Sequence, residues 1–335
     1  MSSKNKIKLS ANENCYGCSS MALDAIQNKL HEAPLYPEVN PIALREKLAE
    51  KHQVNFENIV LGAGSVQIID GLIRIFVGAD EEVITFEKSF IAYGMLSEFH
   101  QRKCNFAPLT NLHCDPESLL ALIQPQTKLI FIANPNNPTG TIISHAQLEN
   151  LLRKINPNII VAIDEAYSEY VTDTAFPDSL KLQKQFPNLA ILHSFSKIYG
   201  LAGLRIGYGI MTESLASKMN AVQIPFFLNY LASAAAIAAL QDIEFVEKSS
   251  RLNATQRQYL FDELTKLGYQ TISSQSNFIY VFFNSDKQKN DFYFALYAHG
   301  IITCDMKVFG QDKSVRITIG DEETNKRMIS ILSIG

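Results

Sequence analysis

The 335 residues contain no unbroken apolar run near the length of about 20 that a bilayer-crossing helix needs. The apolar stretch around Leu231–Leu240 is short and alanine-rich, the composition of a buried helix. Neither sign of charge is in excess: 30 Lys and Arg face 34 Asp and Glu, and the formal charge of −4 gives no general attraction to nucleic acid or to an anionic membrane. A signal core is absent from Met1–Leu9, which is polar and lysine-containing, so the expected location is the cytoplasm. Cysteines are few and odd in number, five in all, which argues against a disulfide framework and for a reducing compartment. No glycine-serine linker divides these residues, and they include no basic N-terminal domain of the kind that binds DNA. With 47% apolar and 19% charged residues the composition is that of a globular protein whose partners are small metabolites. The length suits a large domain with a smaller one.

Cys15-Tyr16-Gly17-Cys18 has the C-x-x-C spacing of a redox pair or half a zinc site, but Cys104 and Cys114 stand ten apart, so a zinc site lacks its second pair and no metal is expected. Helices are expected over Met21–His31 and Pro41–His52, the latter with Leu44 and Leu48 on one face. Ile59-Val60-Leu61 runs into Gly62-Ala63-Gly64-Ser65 and an apolar-periodic helix to Phe76. A strand, a glycine turn and a helix start make an anion site, with Gly64 and Ser65 at its centre. A dinucleotide fold would need a third glycine, and position 67 is Gln67. Glu82–Phe86 reads as a strand, as do the continuous apolar runs Leu129–Ile132 and Ile159–Ile163. The first of these two runs ends in Asn134-Pro135-Asn136-Asn137-Pro138-Thr139-Gly140 and the second in Asp164-Glu165-Ala166-Tyr167, at strand ends where open α/β sheets bind ligands. A carboxylate such as Asp164 at that position needs a cation to offset its burial.

Ser194-Phe195-Ser196-Lys197 then places one lysine between two serines, with Arg205 eight residues on. An amine beside three phosphate partners suits a phosphorylated aldehyde, of which pyridoxal phosphate (PLP) is the common example. A solvated loop lysine before a glycine-rich strand fits the residue types as well.

The run S-F-S-K-x-x-G-L-A-G-L-R-x-G nevertheless resembles the lysine motif of the fold-type-I PLP aminotransferases, and the histidinol-phosphate aminotransferases in particular. The order of phosphate loop, aromatic, N-P-x-N-P-T-G, D-E-A-Y, lysine and arginine is similar to that family along nearly the whole chain. The resemblance implies an α/β fold, with a large PLP-binding domain of mostly parallel sheet at 28–241. A smaller α+β domain comprises 242–335 together with an N-terminal arm at 1–27. It implies a homodimer and transfer of an amino group between an amino donor and a 2-oxo acid, in amino-acid biosynthesis. Lys197 would carry PLP and later move the α-proton. Asp164 would face the pyridine nitrogen, and Asn137 and Tyr167 would share the phenolic oxygen. Gly64, Ser65, Ser194, Ser196 and Arg205 would hold the phosphate, and Tyr93 would stack on the ring. Tyr36, in Y-P-E, would reach the partner's cofactor. Arg316, in V-R-I-T-I-G, would clamp the substrate's anion, with Asn14 and Tyr16 of the arm on the substrate side.

Ala63, Val66, Gln67 and Cys15 depart from the family pattern, and so does Cys304, which stands where an arginine normally helps Arg316. Histidinol phosphate is therefore expected to be a poor donor unless Lys307 fills the gap, and an aromatic or apolar amino acid a better one, in a pocket of Tyr16, Tyr199, Phe226 and Phe227. A threonine-phosphate-type decarboxylase and a non-catalytic PLP-binding regulator are the alternatives.

Overall fold

A computed structural model describes residues 6–334; Met1–Asn5, at the start of the polar N-terminal segment, and Gly335 lie outside the described residues. A seven-stranded sheet runs in the order Ile59–Gly62, Gly207–Ile210, Leu189–Ser194, Ile160–Asp164, Thr127–Ala133, Glu82–Phe86 and Lys103–Ala107. Only Gly207–Ile210 opposes its neighbours, and the other pairings are parallel. Parallel strands buried on both faces need apolar side chains at every position, which is why they read as continuous runs. Alternate residues feed two cores. Leu61, Ile84, Ile130, Ile132, Val161, Ile163 and Ile191 enter one, and Val60, Val83, Leu129, Phe131, Ala162 and Leu192 the other.

The helix Ser65–Phe76 covers the second core with Ile68, Ile69, Leu72 and Ile73, a stripe at helical spacing. Ser144 and Gln147 form a capping box that starts the helix His145–Lys154 beneath the first core. The glycine turn does not depend on outside groups, because the Ala63 N–H donates to Gln67 Oε1 at 2.6 Å.

A second sheet of five strands takes the order Ile7–Leu9, Ile301–Asp305, Ser314–Thr318, Phe278–Phe282 and Gln270–Thr271. Its core of Leu9, Leu260, Leu264, Ile279, Val281, Val315 and Ile317 packs against the long helix Ile243–Lys266, which Asp242 caps at its start. The N-terminal arm is divided between the two units. Ile7–Leu9 pairs in parallel with Ile301–Thr303, whereas the helix Ser20–Lys29 buries Ala22 among Ala232, Ala235 and Ala236 of the helix Tyr230–Gln241. A division at residue 27 would cut that helix, and by its packing the helix belongs to the large unit. Where the units meet, Gly140 has φ +76°, and a Cβ there would lie 2.1 Å from Ser274 Oγ.

Candidate active site

The carboxyl ends of the parallel strands open onto a cavity of about 380 Å³, lined from the large unit by Ser65, Asn137, Asp164, Tyr167, Lys197 and Arg205. Ser10–Glu13 of the arm and Met306, Phe309 and Arg316 of the small unit close it.

One wall is built for an anion. Gly64 turns at φ +82° to start the helix Ser65–Phe76, so that Ser65 lies at the positive end of its dipole. A Cβ on Gly64 would sit 2.5 Å from Arg205 Nη2, so only glycine lets the guanidinium lie against the turn. Arg205 is itself left-handed, φ +58°, and donates from Nη1 to the Ala202 carbonyl at 3.0 Å and to Ser196 Oγ at 3.4 Å. Ser194 Oγ accepts the Ser196 N–H at 3.1 Å, folding the serine pair into the same wall.

Asp164 ends its strand 5% exposed, and burial pushes its carboxyl up to about 6. The Tyr93 hydroxyl donates to Oδ2 at 2.9 Å, the Ala166 N–H to Oδ1 at 3.2 Å, and Lys197 draws the value back somewhat. Lys197 acts on this carboxylate only from a distance, no salt bridge to it forms among the described residues, and it lines the cavity. That combination asks for a cation supplied from outside the chain. Lys197 donates from Nζ to the Ala11 carbonyl at 3.2 Å and lies 5.4 Å from the Tyr167 ring centroid. Arg316 donates to Asn137 Oδ1 at 2.5 Å and to the Ser10 carbonyl at 2.9 Å, while its buried Nε–H has no partner. Asn137 projects because its neighbours hold the loop: Asn134 bonds Ile143 at N and O, and Asn136 donates to the Lys88 carbonyl.

Several expectations need correction. Tyr93 is wholly buried in the first turn of the helix Ala92–Phe99, with its ring stacked on Phe131 at 4.7 Å, so it offers the cavity no ring face. Its hydroxyl acts instead, on Asp164, and Phe90 lines the cavity. Asn14 does not reach the cavity: its Nδ2 donates to the Ile198 carbonyl at 2.8 Å, fastening the arm to the lysine loop. Tyr16 lies beside Cys15 and Asp321, also outside. Tyr199 is core, with its hydroxyl bonded by Lys51 Nζ, and Phe226 packs against Tyr36, so neither they nor Phe227 form a substrate pocket. Tyr36 is 78% exposed and remote from the cavity of its own chain. Lys307 is exposed and fills no gap beside Arg316, and Cys304 is buried opposite Arg316 on the adjoining strand rather than in the cavity wall.

The residue overlooked in the sequence is Asn12, which lines the cavity 1% exposed. Its signal was its residue type, since asparagine is among the few side chains that tolerate the left-handed backbone found there, φ +57°. All five cysteines are free, and the described residues hold no group of three or more potential metal ligands.

An anion cradle, a buried carboxylate wanting a cation and a lysine in one cavity suit PLP: Ser65, Ser194, Ser196 and Arg205 would hold its phosphate, Asp164 would meet its ring nitrogen and Lys197 its aldehyde. Together with a large α/β unit packed against a smaller α+β one, this defines a fold-type-I PLP-dependent enzyme. The family model for aminotransferase class I and II matches residues 4–332, and the chain belongs to that family. It is 40% identical over 327 residues to histidinol-phosphate aminotransferase 1 of Nitrosococcus oceani, covering 97% of this chain and 88% of the relative. It is 37% identical over 330 residues to histidinol-phosphate aminotransferase of Moorella thermoacetica, covering 98% and 85%. Among solved structures, histidinol-phosphate aminotransferase from Sinorhizobium meliloti in complex with pyridoxal-5'-phosphate superposes with a TM-score of 0.90 at 25% identity, covering 98% of this chain and 91% of that one. The protein is a PLP-dependent aminotransferase of the histidinol-phosphate aminotransferase type.

Proposed function

We propose that the donor is an amino acid with an aromatic or other apolar side chain, and that a 2-oxo acid receives its amino group. The observation that carries this reading is the composition of the cavity beyond the cofactor's residues. Arg316, with its unpartnered Nε–H, is the one further arginine there among the described residues, and the outer wall of Phe90, Ile91, Met306 and Phe309 is apolar. A planar guanidinium fork suits a carboxylate. Cys304, packed with Tyr280 and Met306 beside Arg316, adds no charge for a phosphate dianion. Each missing charge-assisted hydrogen bond costs about 1.5 to 3 kcal/mol, roughly ten- to a hundredfold in binding.

Bound PLP supplies the electron sink that makes the donor's α-proton acidic. Asp164, held by Tyr93 and Ala166, keeps negative charge at the ring nitrogen's side of the cavity. Arg316 fixes the donor's anion and so aims its α-carbon at the lysine. The Lys197 amine, steadied by the Ala11 carbonyl, would take the α-proton and return it beyond the donor's nitrogen, at the carbon of the cofactor's former aldehyde, two atoms away. The arm over the cavity keeps water from competing.

A second reading, histidinol phosphate as donor, is favoured by the relatives at 37% to 40% identity, which are histidinol-phosphate aminotransferases. Specificity constants for phenylalanine and histidinol phosphate in wild type and Cys304→Arg separate the two. The first reading expects wild type to prefer phenylalanine and Cys304→Arg to swing roughly ten- to a hundredfold toward the phosphorylated donor. A wild type that strongly prefers histidinol phosphate overturns it.

We also infer a homodimer in the cytoplasm, serving amino-acid biosynthesis. Tyr36 and Phe226 pack at 4.8 Å amid exposed Leu35, Val39, Ile42 and Ile224, an apolar face that a second copy would cover. Five free cysteines support a reducing compartment.

A further inference from the structure

Three consecutive arm residues each touch one side chain of the site. The Ser10 carbonyl accepts from Arg316, the Ala11 carbonyl from Lys197, and Asn12 Nδ2 donates to Tyr167 Oη at 3.0 Å. The third contact is set by a chain of hydrogen bonds whose direction is fixed. The backbone N–H of Asn12 can only donate, and it donates to Thr318 Oγ1 at 3.0 Å. The threonine hydroxyl therefore keeps its own proton for Asn12 Oδ1, 3.2 Å away. That leaves the amide's NH2 facing Tyr167, where it occupies a lone pair of the phenol oxygen. The phenol proton is then turned away from Asn12, and the described residues offer it no acceptor; Tyr167 lines the cavity. Asn277 Nδ2 donates to the Asn12 carbonyl at 3.0 Å, holding the left-handed backbone that makes this arrangement possible.

We propose that Asn12 is a positioning residue of the active site: it directs the Tyr167 hydroxyl proton into the cavity, toward the ring oxygen of bound PLP, and through Thr318 ties that proton to the strand carrying Arg316. The proposal rests on the reading that Tyr167 meets that oxygen. A phenol proton delivered there draws off charge that would otherwise keep the lysine-linked nitrogen protonated. Without delivery, that nitrogen holds its proton to higher pH.

The test is a pH titration of the visible absorbance of lysine-linked PLP in wild type, Asn12→Gly, Tyr167→Phe and the double variant. Glycine keeps the positive φ and removes only the side chain. Tyr167→Phe and Asn12→Gly should each raise the midpoint, by about one pH unit for a hydrogen bond to a charged group. Acting through one another, they should give a double variant with no larger shift than Tyr167→Phe alone. Thr318→Val should move the midpoint the same way by less, and it carries the test if Asn12→Gly does not fold. A midpoint unchanged in Asn12→Gly while Tyr167→Phe shifts, or additive shifts in the double variant, overturns the role of Asn12. No shift in Tyr167→Phe overturns the reading of Tyr167 beneath it.

Discussion

Replacing Asp164 by asparagine should make the PLP-free protein more stable and the enzyme nearly inactive. In the folded chain burial raises this carboxyl from its ordinary 3.8 to about 6. A group whose folded pKa lies above its unfolded value favours the fold while protonated, and that contribution is lost as pH rises through the folded value. The change corresponds to about 3 kcal/mol, at about 1.4 kcal/mol per tenfold, carried as a cost above pH of about 6. Asparagine has no charge to bury, but it offers one acceptor where Tyr93 and Ala166 both donate, which forfeits about 1 kcal/mol. The net gain of about 2 kcal/mol should raise Tm by a few degrees near pH 8 and give way to a small loss of about 1 kcal/mol near pH 4, where wild-type Asp164 is protonated and only the missing acceptor counts. Adding PLP should reverse the order, because a protonated ring nitrogen offsets the buried charge only in wild type. Turnover should fall by about two decades or more, the scale of losing one preorganised charge. Thermal unfolding of both PLP-free proteins across this pH range reads the effect. A Tm difference that stays constant with pH would refute the reasoning.

Gly64→Ala should weaken PLP binding by roughly ten- to a hundredfold, since the left-handed backbone costs about 1 to 2 kcal/mol and the new Cβ displaces Arg205; titration with PLP checks it, and unchanged affinity counts against the cradle. Tyr93→Phe keeps the ring and removes the hydroxyl that holds Asp164. Turnover should drop about tenfold or more, with PLP affinity little changed, whereas a silent variant would mean the hydroxyl is idle. Mixing Lys197→Ala with Tyr36→Phe chains should restore activity in hybrid dimers that contain one intact composite site. No recovery after proven subunit exchange would exclude a shared site.

Much of the framework was legible because its physics is local. Leu129–Ile132 and Ile159–Ile163 read as buried strands since both faces are covered, and the proline-rich and acidic ends marked where the cavity opens. What failed was the direction of individual side chains. Phe90 and Tyr93 are three residues apart, but the helix that starts between them turns Tyr93 inward onto Phe131 and leaves Phe90 at the cavity. Asn12 and Asn14 stand two residues apart in the arm, and it is Asn12, with its left-handed backbone, that reaches Tyr167 while Asn14 bonds Ile198. The arm was assigned to one unit because nothing in Ser20–Lys29 announces its packing on a helix some two hundred residues later. Tyr36 meets the cavity only if a second chain brings it there.

The central claim is that Lys197 carries the cofactor and moves the donor's proton, and one experiment addresses both halves. Purified wild type and Lys197→Ala are each loaded with PLP, their visible spectra recorded, and amino donor then added without any oxo acid. Wild type should show the absorbance of lysine-linked PLP, lose it on addition of donor, and release about one equivalent of oxo product per chain, as expected when the amino group stays on the enzyme. Lys197→Ala should bind PLP without that absorbance and release no oxo product. Near-native product formation by Lys197→Ala would contradict the account.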